Sequence, residues 1–259
     1  MPYIIKHRRP PEAWRVVKSQ TKPLRRPFAF VNWASEWVAF GLGQISFLEV
    51  LEYFGSLSLL IGVIVYFMGA TDRMKQKHYQ AWQVINTAQG KGGSGGRIDA
   101  LQELNEDNVA LVGVDLTDAF LQEVKLPNAD LRRGFLNGAD LKRASLHSAN
   151  LEGATLHSAN LREGDLTDAR LIDVNLSETD LNHTDLSHAD VQGANFDRAD
   201  LPDADLSGIK NWNHIASLKL ANIKGIRNAP EGFAKWASEQ GACDCDDDAW
   251  NKLLKGNSP

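Results

Sequence analysis

Cysteine is almost missing from this chain: 259 residues hold two, Cys243 and Cys245. Two cysteines one residue apart cannot staple a fold, so nothing here calls for an oxidising compartment. The basic, proline-containing opening lacks the apolar run of a secretory signal, which argues against a cleaved leader. No HExxH, P-loop or Ser-His-Asp signature occurs. GKGGSGG at 90–96 nearly matches GxGxxG, but no strand precedes it, and the phosphate-binding context is absent. Long uncharged runs are scarce as well. The main one is YFGSLSLLIGVIVYFMGA, residues 53–70.

Eighteen uncharged residues lie at the short end of what crosses a bilayer core of about 30 Å. Tyr53, Phe54, Tyr66 and Phe67 near its ends suit an interfacial aromatic belt, and residues 53–70 are expected to contact a membrane as a transmembrane helix. A second stretch, FAFVNWASEWVAFGLGQIS at 28–46, is interrupted by Asn32, Glu36 and Gln44 and reads as an interfacial or packed amphipathic helix within a basic segment, 1–52. No Lys or Arg lies between Pro27 and Tyr53, whereas Arg73, Lys75 and Lys77 follow Ala70. The near flanks therefore predict a cytoplasmic C-terminal region with one span or two. The helix is expected to continue to 89 through Tyr79, Trp82, Val84 and Ile85. The glycines of 90–96 would then form a flexible tether reaching about 15 Å.

Charge divides along the chain. Residues 1–97 carry 13 Lys/Arg against 5 Asp/Glu, whereas 111–210 carry 9 against 18. That acidic region has its own rhythm, as in LHSANLEGATLHSANLREGD at 146–165. Five helical steps turn a side chain about 140°, so no apolar face forms, and on a strand alternate leucines would fall on opposite faces. Yet every fifth position is apolar twenty times running: Leu111, Leu116, Leu121, Leu126, Leu131, Leu136, Leu141, Leu146, Leu151, Leu156, Leu161, Leu166, Leu171, Leu176, Leu181, Leu186, Val191, Phe196, Leu201 and Leu206. Two residues earlier stands Ala, Gly, Val or Thr, and the preceding position is Asp or Asn in 13 of the 20 quintets. Such a repeat predicts stacked units with the leucine and the small residue turned to the axis. Asp and Asn suit the corners, where their side chains can hold nearby backbone.

The motif A(D/N)Lxx, written here as ADLRR, ADLKR, ANLEG, ANLRE and ADLPD, resembles the pentapeptide-repeat family. The resemblance implies a mainly β fold, a right-handed quadrilateral β-helix with four quintets per coil, over 111–210. Five coils at strand spacing would make a rod of about 24 Å, with residues twenty apart stacked as vertical neighbours. Open solenoid ends need caps. Residues 97–110, with Ile98, Leu101 and Leu104 at helical spacing, are expected to cover the first coil. Residues 211–259 should cover the last, through a closing turn with Trp212, Ile215, Leu218 and Ile223, a helix over 229–242 and a further helix from Asp246.

Catalysis needs polar groups converging in a pocket, and a filled solenoid offers none, so no enzyme activity, cofactor or metal is expected. His147 and His157 fall on opposite walls and His183 and His188 on adjacent ones; none stacks on another His, and they read as solvated. CDCDDD at 243–248 lacks the second pair of soft ligands a closed zinc site wants and reads as an acidic loop. What remains is surface, with Asp165, Asp185 and Asp205 lining one edge and Asp140, Asp180 and Asp200 another. Some members of the family resemble DNA and engage type II topoisomerases. Here Arg132, Arg133, Lys142, Arg143, Arg162 and Arg170 interrupt the negative field. The expected function is a non-enzymatic, membrane-tethered interaction scaffold at a bacterial inner membrane. It would have an unknown protein partner, no direct nucleic-acid binding, and a cap that could form a homo-oligomer. The alternatives are a DNA mimic acting on a topoisomerase, and an accessory subunit of a membrane transport or channel assembly, with Glu36, Glu49 and Glu52 facing a partner helix.

Overall fold

The computed structural model describes residues 10–44, 47–87 and 96–256, without the side chains of 24, 42–44 and 47–52. It divides into two compact units, Met1–Arg73 and Met74–Pro259. Glu49 and Glu52, and the glycine tether apart from Gly96, lie outside the described residues or side chains.

In the first unit α1 (Trp14–Gln20) leads through a 3-10 turn (Pro23–Arg25) into α2 (Arg26–Gln44), followed by α3 (Phe47–Met68). Pro23 opens the turn, where its missing N–H costs nothing. Trp14 packs on Phe30 and Trp33 at centroid distances of 5.1 and 5.5 Å, and the Trp33 indole N–H donates to the Glu12 carbonyl at 2.7 Å. No described residue from 10 to 68 is buried. The helical stretch Tyr53–Thr87 is, among the described residues, the one long and apolar enough to cross a membrane, and its most apolar window is wholly unburied.

The second unit begins within α4 (Ala70–Thr87). A free tether after this helix would leave it undocked, but the structure seats it. Ala81 and Ile85 are buried, and Trp82 and Val84 pack on the same core. Lys77 Nζ reaches Glu103 and Asp107 at 3.0 and 3.2 Å, and His78 Nε2 lies 2.9 Å from the same Asp107 oxygen. The hydrogen bond from His78, then that from Lys77, holds the Asp107 carboxyl below the usual range. With α5 (Arg97–Glu106), which buries Ala100, Leu101 and Leu104, this helix closes the first coil.

From Leu111 the chain winds. Parallel bridges join each corner residue to the one twenty further on, from Asp115↔Phe135 to Asp190↔Lys210. Four quintets therefore complete one coil. The central N–H of a quintet donates nineteen residues ahead, as Leu151 does to Arg170 at 2.9 Å. The corner N–H donates twenty-one back, as Asn150 does to Ala129 at 2.8 Å. No extended strand occurs among the described residues, because each wall holds only one bridging residue between turns. The β character lies in a ladder of single bridges, a correction to the expectation of a mainly β chain.

Each corner needs a turn, closed by an N–H···O=C bond across three residues, such as Ala154 to Leu151 at 2.9 Å. The residue two after every central position has positive φ, from Gly113 at 69° to Gly208 at 61°, and most of these residues are not glycine. All twenty central side chains are buried, none above 3% exposed. Thr179 and Thr184, at the small inner position, satisfy their hydroxyls on the Leu156 and Leu161 carbonyls at 2.7 and 2.9 Å.

The strict period stops at Leu206, but the ladder runs on with two residues inserted: Asn195↔Ser217, Asp200↔Asn222 and Asp205↔Arg227. Leu218 and Ile223 are buried in this added turn. A short 3-10 turn (Trp212–His214) and α6 (Phe233–Glu239) then meet through Trp212, Phe233 and Trp236, with centroids 5.4–6.1 Å apart. Cys243 bridges to Asn222 and is disulfide-bonded to Cys245. Their Cα atoms lie 5.4 Å apart, within disulfide reach, so CDCDDD is not simply a solvated acidic loop. The last helix, α7 (Asp247–Gly256), is held by a bond from the Trp250 indole to the Leu220 carbonyl at 2.8 Å.

Candidate functional site

With the axis filled, chemistry is left to the corners and walls. A corner Asp or Asn faces the N–H two residues on, and its Oδ1 accepts it. Of the thirteen such corners, twelve make this bond, at 2.9–3.5 Å. Among the candidate surface residues, Asp140, Asp165, Asp180, Asp185 and Asp205 all do so. Their carboxylates are half-buried and spend one oxygen on their own turn.

Asp200 is the exception. Two residues on stands Pro202, which has no N–H to give. Its Oδ1 instead accepts from Asn222 Nδ2 at 3.0 Å, and Asn222 is fully buried. Burial pushes the Asp200 carboxyl up to about 6; Asn222 opposes this, and the charges of Asp180 and Asp247 add to it. The ladder Asp140, Asn160, Asp180, Asp200, Asn222 brings three of the candidate residues into one column. Asp165, Asp185 and Asp205 form a second column. In the first, Asn160 donates to Asp140 at 3.0 Å, which separates that carboxylate from Asp180. Proline within ADLPD was the available signal for an odd corner; the burial of Asn222 had none.

The walls are neither uniformly acidic nor uniformly polar. Arg143 bridges Glu123 and Glu163 at 3.1 and 3.2 Å, Arg170 meets Glu152 at 3.0 Å, and Arg162 lies 3.7 Å from Asp180. Arg132 binds Asp130 at 2.7 Å and holds its carboxyl below the usual range. Phe120 and Phe135 occupy corners where Asp or Asn stands elsewhere and are 43% and 50% exposed. They were legible as the aromatics of the corner position. His157 Nδ1 pairs with Ser177 Oγ at 2.9 Å and His183 lies 3.8 Å from Asp203. Among the described residues no group of three or more His, Cys, Asp or Glu could hold a metal ion. The walls carry depressions, such as that between Arg132, Arg133, Glu152 and Asp173.

A coil that closes every twenty residues, stacks its corners in ladders and fills its axis defines a quadrilateral solenoid. Residues between 110 and 208 match the family model described as pentapeptide repeats, in eight copies. The chain belongs to the pentapeptide-repeat family, whose members fold as right-handed quadrilateral β-helices. No curated protein matches it. Among solved structures it is similar to the pentapeptide repeat protein Rfr23 from the cyanobacterium Cyanothece 51142, at 35% identity over 33% of this chain and 53% of that one, TM-score 0.25. It is similar to alr5209 from Nostoc PCC 7120, at 30% identity over 44% and 85%, TM-score 0.23. It is also similar to QnrB1, described as a plasmid-mediated fluoroquinolone resistance protein, at 20% identity over 46% and 57%, TM-score 0.41. The chain thus spans little more than half the length of Rfr23 and QnrB1.

Proposed function

We propose that this chain is a non-enzymatic, membrane-tethered interaction scaffold of a bacterial inner membrane. Residues 53–70 anchor it, and the solenoid walls contact a protein partner. The observation that carries this reading is the filled axis: twenty central side chains at or below 3% exposure leave outward-facing groups that diverge. A catalytic constellation requires the opposite. The near-flank cations Arg73, Lys75 and Lys77 favour a cytoplasmic solenoid. Cross-linking in native membranes followed by detergent pull-down tests the scaffold. A specific protein cross-linked to the walls supports it, and recovery of the chain alone after exhaustive cross-linking removes it.

The Cys243–Cys245 disulfide favours a second topology, with the solenoid on the oxidising side. Protease added to sealed right-side-out vesicles decides: residues 98–256 survive in the first topology and are digested in the second. The topoisomerase-directed DNA mimic is the weaker alternative, because the corner carboxylates are tied to backbone and cations cross the coils. Inhibition or protection of gyrase supercoiling at micromolar concentration would restore it. The transport-subunit alternative rests on Glu36, Glu49 and Glu52 facing a partner helix, and the Glu36 carboxylate already accepts from Asn32 of its own helix at 2.9 Å.

A further inference from the structure

We infer that the α1–α2 hairpin is a docking surface for the headgroups of anionic phospholipids. This deepens the membrane reading above and rests on it. The first support is an uncovered face. Helical residues advance about 100° each, which places Phe30, Trp33, Trp37 and Phe40 on one side of α2 and Phe28, Val31 and Val38 on the opposite side. The first set is a run of touching rings, with centroids 5.6–6.5 Å apart, and Trp14 of α1 covers its near end. The second set has no cover: Phe28, Val31 and Val38 are 80%, 66% and 62% exposed.

Charge identifies what covers it. Residues 10–44 hold Arg15, Lys18, Lys22, Arg25 and Arg26 against only Glu12 and Glu36. These cations lie on α1 (Arg15, Lys18), just before or in the turn (Lys22, Arg25) or at the first residue of α2 (Arg26), ahead of the point where the uncovered face begins at Phe28. An open cleft there is lined by Thr21, Arg25, Phe28 and Ala29, so a guanidinium-bearing residue and an aromatic ring border the same space. A lipid phosphate at Arg25, with its glycerol and upper acyl carbons against Phe28, matches both. Cations flanking an apolar helical face are the composition of a helix lying in the interface of a charged bilayer. A neutral bilayer would cover Phe28 and Val31 but leave five cations uncompensated. Insertion of α2 as a second span is disfavoured because α1, with Arg15 and Lys18, is packed along its first turns.

The test uses the full chain reconstituted into vesicles of phosphatidylcholine, with or without a third replaced by phosphatidylglycerol in both leaflets, so the outcome is independent of topology. Hydrogen exchange is followed over 14–44. Exchange should slow with phosphatidylglycerol, and molar salt should reverse the effect by screening. Lys22→Glu with Arg25→Glu should weaken the protection by about fivefold per cation removed. Because salt acts on the unaltered chain, a misfolded variant cannot decide the result. Equal exchange in both vesicle types overturns the inference and leaves the anchor standing. Release of the chain from both by alkaline carbonate overturns the membrane reading itself.

Discussion

Leu151 and Ile64 are both aliphatic residues in the middle of strongly patterned segments, yet Leu151 is fully buried and Ile64 is 48% exposed. The contrast holds across the two units. The solenoid hides every central side chain, whereas the described residues from 10 to 68 hide none. Each buried leucine is worth about 1.5–3 kcal/mol in water, so one unit can hold itself together there by burial. The described residues 10–68 of the other offer no such burial. The same residue types thus stand in two environments, one buried and one exposed, and the spacing decides which. A leucine every fifth position winds the chain on itself; an unbroken apolar run exposes its whole circumference.

The sharpest way to break that contrast is to place a charge on each side. Leu151→Asp puts an unpaired carboxylate in the central coil and should cost more than about 4 kcal/mol, abolishing cooperative melting of the solenoid. Ile64→Asp should leave that melting unchanged and instead reduce carbonate-resistant membrane association. A Leu151→Asp protein with wild-type Tm would refute the register. A smaller effect tests where the solenoid begins. Ile85 is fully buried at the docked end of α4, so Ile85→Ala should cost about 2–4 kcal/mol in urea unfolding. The same truncation at exposed Leu60 should stay within about 0.5 kcal/mol.

How far the sequence could carry these distinctions depends on periodicity. The twenty central positions and the Asp or Asn corners were legible because a fivefold pattern admits one inward set. Leu218 and Ile223 were legible as apolar plugs of a closing turn but not as a further coil, because two inserted residues break the strict count while leaving the bridges intact. The docking of α4 was hidden for another reason. Ala81 and Ile85 sit four apart as on any amphipathic helix, and only the pairing of Lys77 and His78 with Asp107, about thirty residues on, reveals the surface they meet. At the corners, Asp and Asn were expected to hold nearby backbone, with an acidic edge as the alternative. Hydrogen-bond accounting shows carboxylates engaged by their own turns, and it separates Asp200 from the rest.

Asp200 provides a pH test of that separation. Its folded carboxyl titrates near 6 against an unfolded value near 3.8. A raised folded value means the neutral form is favoured, so its contribution is fully present below about pH 4 and is lost as pH rises through 6. Asp200→Asn should therefore raise stability at pH 8 by about 1–2 kcal/mol, allowing for partial solvent screening, and should lose that advantage at pH 3. Pro202→Ala restores the N–H that the other twelve corners receive, and should lower the Asp200 titration in a carbon-detected NMR experiment. No movement would mean that the missing donor is irrelevant and burial alone sets the value.

The smallest effects compare the two units through glycine. Gly153 has φ of 67°, and the nearest atom to an added Cβ is Arg133 Cγ at 3.7 Å, so space is available and conformation is not. Gly153→Ala should cost about 1 kcal/mol by forcing an alanine into the left-handed region. Arg133, one coil earlier in the same column, already stands there at φ 56°. Arg133→Gly should therefore gain about 0.5 kcal/mol, the relief exceeding the added freedom of the unfolded chain. Gly41 lies in α2 with nothing within 4 Å of an added Cβ and no positive φ. Gly41→Ala should increase helicity by circular dichroism, worth about 0.5–1 kcal/mol. The same exchange thus carries opposite signs in the two units, because one backbone is built from left-handed corners and the other from helix. Equal signs at Gly153 and Gly41 would mean that the corners do not impose the conformation on which the solenoid depends.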